Sequence, residues 1–262
     1  MRKVLAIAKN TFREAIRNKV LYSLLAFALV VILASLAFGA LSIREEARLT
    51  RDLGLGAMSL FLVVIAIFVG VNLVYKELER KTVYMLLPKP IHRYQFVLGK
   101  FLGLLFTLLV QLAVMTAMLV VVLAIQGAGL GGPLWRLVAL IFFEVVVITA
   151  IAVLFSSFST PFLSGMFTIG IFLLGRSVPD IRSIAGKMEN PVVSPLLEAM
   201  ARVVPDLRYF FVTGAEIDGA QVSINGTFVG WGYVASAGGY AAFYTTLVLL
   251  LAMVLFSRRD FI

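Results

Sequence analysis

Six apolar runs constrain this chain more than anything else in it. The first, residues 20–41, is 22 residues without a charge. As a helix it is about 33 Å long, and the hydrocarbon core of a bilayer is about 30 Å thick. Five more runs follow at 53–75, 101–125, 134–156, 162–178 and 231–256. A segment in hydrocarbon must satisfy its backbone N–H and C=O groups internally, so runs of this length have to be helices. The chain therefore reads as an all-α polytopic membrane protein with six transmembrane helices, in one transmembrane domain over 1–262. Composition agrees: 61% of residues are hydrophobic and 14% charged, against about a quarter charged in soluble domains.

The net charge of +9 raises the question of nucleic acid, and its distribution answers it. Residues predicted on one side of the membrane (the N-terminus, the 75–100 island and the C-terminus) hold fourteen Lys/Arg against four acids. Those predicted on the other side hold nine against nine. That asymmetry is an orientation signal with attraction to anionic headgroups, and it puts both termini in the cytoplasm. Nucleic acid is not an expected partner; membrane lipids are.

Residues 1–19 precede the first span as a basic amphipathic segment. Val4, Leu5, Ala8, Phe12, Ala15 and Ile16 fall near one face and six Lys/Arg supply the other, the pattern of a helix lying in the membrane interface. A short charged loop is expected at 42–52, a glycine-rich turn at 126–132 and a tight turn at 157–161. The third helix should begin near Tyr94, because nothing after Pro90 breaks it. The fifth span is expected to end at 178, with Arg176 snorkelling to the headgroups. Residues 176–230 form the longest polar stretch, predicted outside. Within it 195–204 reads as an amphipathic helix ended by Pro205, and 221–229 as a hairpin around Asn225-Gly226.

Between the second and third spans lies a polar island, residues 75–100. Leu78, Thr82, Met85 and Leu86 recur at spacings of three and four, so they share a helix face. Pro88 and Pro90 end that helix. Two readings stand: a solvated basic loop that only fixes orientation, or a short helix that docks on a partner. Glu79, Thr82, Leu86, Leu87, Lys89-Pro90, Arg93 and Gly99-Lys100 resemble the cytoplasmic loop of ABC-2 type permeases, the membrane subunits of ATP-driven exporters. The basic N-terminal helix and the closing Arg258-Arg259-Asp260-Phe261 are also similar to that family. The resemblance implies a cytoplasmic coupling helix at 76–93 that docks on a separate ABC ATPase through Glu79, Arg80, Thr82, Met85, Leu86, Leu87 and Arg93. It implies ATP and magnesium on that partner and no cofactor on this chain. It further implies a plasma-membrane location and a second permease half, as a homodimer or a paired heterodimer. The alternative is a non-transporting subunit that relays ATPase work to an extracytoplasmic partner through 176–230.

Catalytic chemistry has little to work with. The single histidine, His92, cannot form an ordinary zinc site without cysteines or a second histidine, and the chain has no cysteine. There is no G-x-x-x-x-G-K-[ST] phosphate loop and no nucleophile–base pair, so neither an enzyme nor a metal site is expected, and a lipid-modifying enzyme would lack its residues. One acid, Glu144, falls deep in a span, and such residues face protein or a water-filled cavity. Gln111 lies at similar depth in the preceding span. Glu144 is then either a polar point on a path for substrate or protons, or a neutral acid bonded to Gln111 or a backbone carbonyl that joins two helices.

Overall fold

A computed structural model describes residues 2–40, 46–79, 92–127, 132–188, 192–211, 216–217, 220–222 and 228–258. Helix α1 (Arg2–Ala15) precedes α2 (Lys19–Ala40), α3 (Glu46–Glu79), α4 (Arg93–Ile125), α5 (Gly132–Ser156) and α6 (Pro161–Lys187). Helix α7 (Val193–Val203) and a single 3-10 turn (Leu207–Tyr209) follow. Two short antiparallel strands, β1 (Glu216–Ile217) and β2 (Ala220–Gln221), come before the last helix, α8 (Trp231–Arg258). All six apolar runs are helices long and apolar enough to cross a membrane. The two most enclosed are α3 and α5, which contact each other; α2 and α4 pack on α3, and α4, α6 and α8 on α5.

Small residues set how closely α3 is approached. A Cβ on Gly54 would stand 2.4 Å from a Leu119 methyl of α4, and one on Gly70 would stand 3.2 Å from Ala152 of α5. Without a hydrophobic drive between helices in lipid, close approach of this kind is what holds them together. Polar bonds pin the same seams. Thr50 Oγ1 donates to Ser35 O on α2 (3.2 Å), and Gln126 Nε2 donates to Thr50 Oγ1 (3.0 Å). Of the small residues in the last span, Ala237 is buried and Gly238 meets Phe143 of α5, whereas Gly232 and Gly239 face open space.

Helix α1 has the amphipathic form read from its sequence, and part of its apolar side rests on protein while Leu5 is exposed. Thr11 and Ala15 are fully buried, and Phe12 meets Phe106 edge-on at 4.7 Å. The seat is made by Gly99 and Gly103 of α4, where α1 crosses with Val4 O, Ile7, Ala8 O and Thr11 against them. Lys100, between those glycines, is 1% exposed and sits 3.6 Å from Glu14 of α1, with Phe96 beneath it. Gly99-Lys100 thus belongs to a helix–helix seam rather than to a solvated loop. A Cβ on Gly103 would lie 2.6 Å from the Ala8 carbonyl, a backbone atom that cannot swing aside. Gly103→Ala is therefore expected to cost about 1–3 kcal/mol by overpacking, read as a lower thermal midpoint in detergent. Gly239→Ala, which meets nothing within 4 Å, should leave the midpoint unchanged or raise it.

Several boundaries differ from the sequence reading. Helix α3 begins at Glu46, inside the expected 42–52 loop. Helix α6 does not stop at 178 but runs through Pro179 to Lys187. A proline inside a helix removes one backbone donor, here the one that would reach the Gly175 carbonyl; at the next residue, Arg208 Nε donates to the carbonyl of Arg176 at 2.9 Å. The amphipathic helix expected at 195–204 is α7. The hairpin expected at 221–229 survives as an antiparallel bridge between Val222 and Phe228, while residues 223–227 lie outside the described residues. Strands β1 and β2 have no counterpart in the sequence reading.

Candidate functional site

Of the residues assigned to ATPase docking, Arg80, Thr82, Met85, Leu86 and Leu87 lie outside the described residues. The side chains of Glu79 and Arg93, at the ends of α3 and α4, are likewise not described. The structure says more about Glu144.

Glu144 is at the middle of α5 and its side chain is 0% exposed. Its neighbour is not Gln111, as the sequence suggested, but Arg176 of α6. Arg176 Nη2 donates to Glu144 Oε1 at 2.9 Å and to Oε2 at 3.1 Å, and Nε donates to Oε1 at 3.1 Å. Ser59 of α3 closes the group: its hydroxyl donates to Glu144 Oε2 and accepts from Arg176 Nη2, both at 2.6 Å. Three helices are thereby tied at one level of the bundle. A planar fork meeting a carboxylate through several N–H bonds is the geometry of an ion pair, not of a neutral acid on a backbone carbonyl. Gln111 is buried on α4, and its Oε1 has no hydrogen-bond partner among the described residues.

The Arg176 side chain is 26% exposed. Its guanidinium lies over Phe172 at 5.0 Å and Phe211 at 4.3 Å, as cation–π contacts. Phe211 comes from the segment between α7 and α8, which turns back into the bundle. Leu207 and Phe210 are buried, and the chain crosses α6 at Gly175, where an added Cβ would stand 2.7 Å from Pro205 O. Asp206 in this segment donates its N–H to the Tyr240 hydroxyl of α8. Burial pushes the Asp206 carboxyl above the usual carboxylate range, against the opposing pull of the Arg208 N–H and the Arg182 and Arg208 guanidiniums. Arg208 also pairs with Asp180.

Ser59 and Arg176 were missed by sequence reasoning. Arg176 was placed at a span end, because the helix was stopped short of Pro179. The overlooked signal was the run after the proline, Asp180-Ile181-Arg182-Ser183-Ile184-Ala185, which continues a helix and moves Arg176 into its interior. Ser59 offered no signal, since serines in spans commonly bond only their own helix. Among the described residues no group of His, Cys, Asp and Glu could hold a metal ion.

The comparisons agree with this architecture. No curated protein matches the chain. The family described as ABC-2 family transporter protein matches residues 5–261, nearly the whole length and all six helices that can span a membrane. The chain belongs to the ABC-2 transporter family and is a multi-pass membrane protein of it.

Proposed function

We propose that this protein is the permease subunit of an ATP-driven exporter in the plasma membrane, with both termini and residues 75–100 cytoplasmic. Its energy comes from a separate ABC ATPase, which carries the ATP and magnesium, and a second permease half completes the path. Members of this family are normally non-catalytic membrane subunits, which fits a chain with no phosphate loop.

One observation carries the reading. Helices α3 and α4 have 34 and 33 residues, about 50 Å each, against about 30 Å of hydrocarbon. The end of α3 extends four residues past its apolar run, which ends at Tyr75, to Glu79. The start of α4 carries α1 on Gly99 and Gly103. Two long helices, buttressed at that end, carry the two ends of the 76–93 segment that resembles a docking loop. They suit a lever that passes ATPase closure into α3, which packs on α2, α4, α5 and α6.

The test is to co-express the chain with its cognate ATPase. The two should co-purify, and ATP hydrolysis should rise when the complex enters nanodiscs. Reporter fusions after Leu86 and after Gly219 check the orientation, and cytoplasmic activity of the second would overturn it. The relay alternative draws on the Arg208–Arg176 bond, which joins the 205–211 segment to the core group. ATP-dependent movement of solute in vesicles would favour export, and a stable partner held on the far face without such movement would favour relay.

A further inference from the structure

A second polar concentration lies at the end of the bundle away from α1, and the Glu144 group does not use it. There a cavity of about 420 Å³ opens between the end of α6, α7, the segment after it and the first turns of α8. Its polar lining is Arg182, Arg202, Asp206, Tyr209, Ser236 and Tyr240.

The lining favours an anion. Arg182 donates from Nη2 to Ala201 O at 3.2 Å, and its Nη1 stands 3.7 Å from Asp206 Oδ2. Among the described residues Arg202 is held by Glu198 alone, one turn back on its own exposed helix face, at 3.1 Å. A guanidinium has five N–H donors, so each has donors beyond these contacts. The one carboxylate in the lining is already engaged, since Asp206 Oδ1 accepts from the Arg208 N–H. The Tyr240 hydroxyl accepts the Asp206 N–H, which leaves its own proton to donate. Two cations and hydroxyl donors around one occupied carboxylate match a phosphate, with several acceptor oxygens in a small volume.

What lies beneath the cavity selects the source of that phosphate. Ser236, Tyr240, Phe243, Leu247, Leu250 and Val254 are spaced four, three, four, three and four apart, so they follow one face of α8. From Phe243 onward that face is exposed: Phe243 is 70% exposed, Leu247 52%, Leu250 57% and Val254 48%. An apolar stripe of about 21 Å from Tyr240 to Val254 thus starts directly under a cationic cavity. A free phosphate uses only the cavity; an amphiphile uses both.

We propose that this cavity binds the phosphate headgroup of an anionic membrane lipid, with an acyl chain along the α8 stripe. The site is independent of the ATPase, so its failure and that of the permease reading are separable. The test titrates the purified full-length protein in detergent with phosphatidylglycerol, phosphatidylcholine and inorganic phosphate, counting bound lipid by native mass spectrometry. Phosphatidylglycerol should bind saturably and more tightly than the other two. Arg202→Gln, at an exposed position that leaves the fold alone, should weaken it about fivefold, and Arg182→Gln with Arg202→Gln more than about tenfold. Phe243→Ala should weaken the lipid and leave inorganic phosphate unchanged. Thermal melting checks that each variant is folded. Unchanged phosphatidylglycerol affinity in Arg202→Gln and in the double variant would overturn the site. Equal affinity for phosphatidylcholine would overturn its preference for an anion. Inorganic phosphate binding as tightly as the lipid would overturn the lipid as its occupant.

Discussion

Arg176→Leu is expected to destabilise the protein by about 3–5 kcal/mol, because it strands the Glu144 carboxylate in the core. Nothing else described can take the guanidinium's place. Ser59 supplies one hydroxyl donor, and Gln111 makes no bond to Glu144. Glu144→Leu should cost about as much, for the complementary reason that it leaves Arg176 facing two phenyl rings without a counter-ion. Taken together, Glu144→Leu and Arg176→Leu remove both charges and keep much of the volume, and such replacements of buried pairs are often neutral or stabilising. The double variant should therefore recover most of the loss. The measurement is a double-mutant cycle on thermal or denaturant unfolding in detergent. Additive costs would show that the two side chains are not coupled. Glu144→Gln separates stability from function, since it keeps the shape and a hydrogen-bonding group but removes the charge. Normal ATPase-driven transport in a folded Glu144→Gln protein would make the pair a structural tie; loss of transport with stability kept would put the charge on the working path.

The second large effect concerns the proposed docking segment. Leu86→Glu is expected to abolish co-purification with the cognate ATPase and its stimulation in nanodiscs, while the chain still folds and inserts. The spacing of Leu78, Thr82, Met85 and Leu86 predicts one shared helix face. Its apolar knobs need a groove to fill, and a carboxylate in that groove would be desolvated without a partner. Losing a central apolar anchor costs more than about 2 kcal/mol, roughly thirtyfold in Kd. Arg80→Ala or Arg93→Ala, as rim changes, should weaken the complex less and mainly slow association at high salt. An intact complex with Leu86→Glu would leave 75–100 as a topological anchor and remove the main physical support for ATPase coupling.

The membrane character of this chain was legible residue by residue. Length and apolarity settle a transmembrane helix, because lipid offers the backbone no other solution, and all six runs became helices. The amphipathic patterns at 1–19 and 195–204 were equally readable, since periodicity is a local property; they became α1 and α7. The depth of Glu144 told that it must face protein. What it faces was another matter. Its partners Ser59 and Arg176 lie 85 and 32 residues away in sequence, and no spacing rule links groups on three helices. Arg176 lies in the interior of α6 because that helix passes Pro179, and Arg208 donates to the Arg176 carbonyl from a segment that folds back between α6 and α8. The seat of α1 on Gly99 and Gly103 was decided in the same way: the sequence marked an apolar face, but a membrane and a glycine-lined helix could each have covered it. Local hydrophobicity chose the elements, because each residue meets the bilayer by itself. Which polar groups pair, and which faces are shared, was decided by close packing among elements distant in the chain.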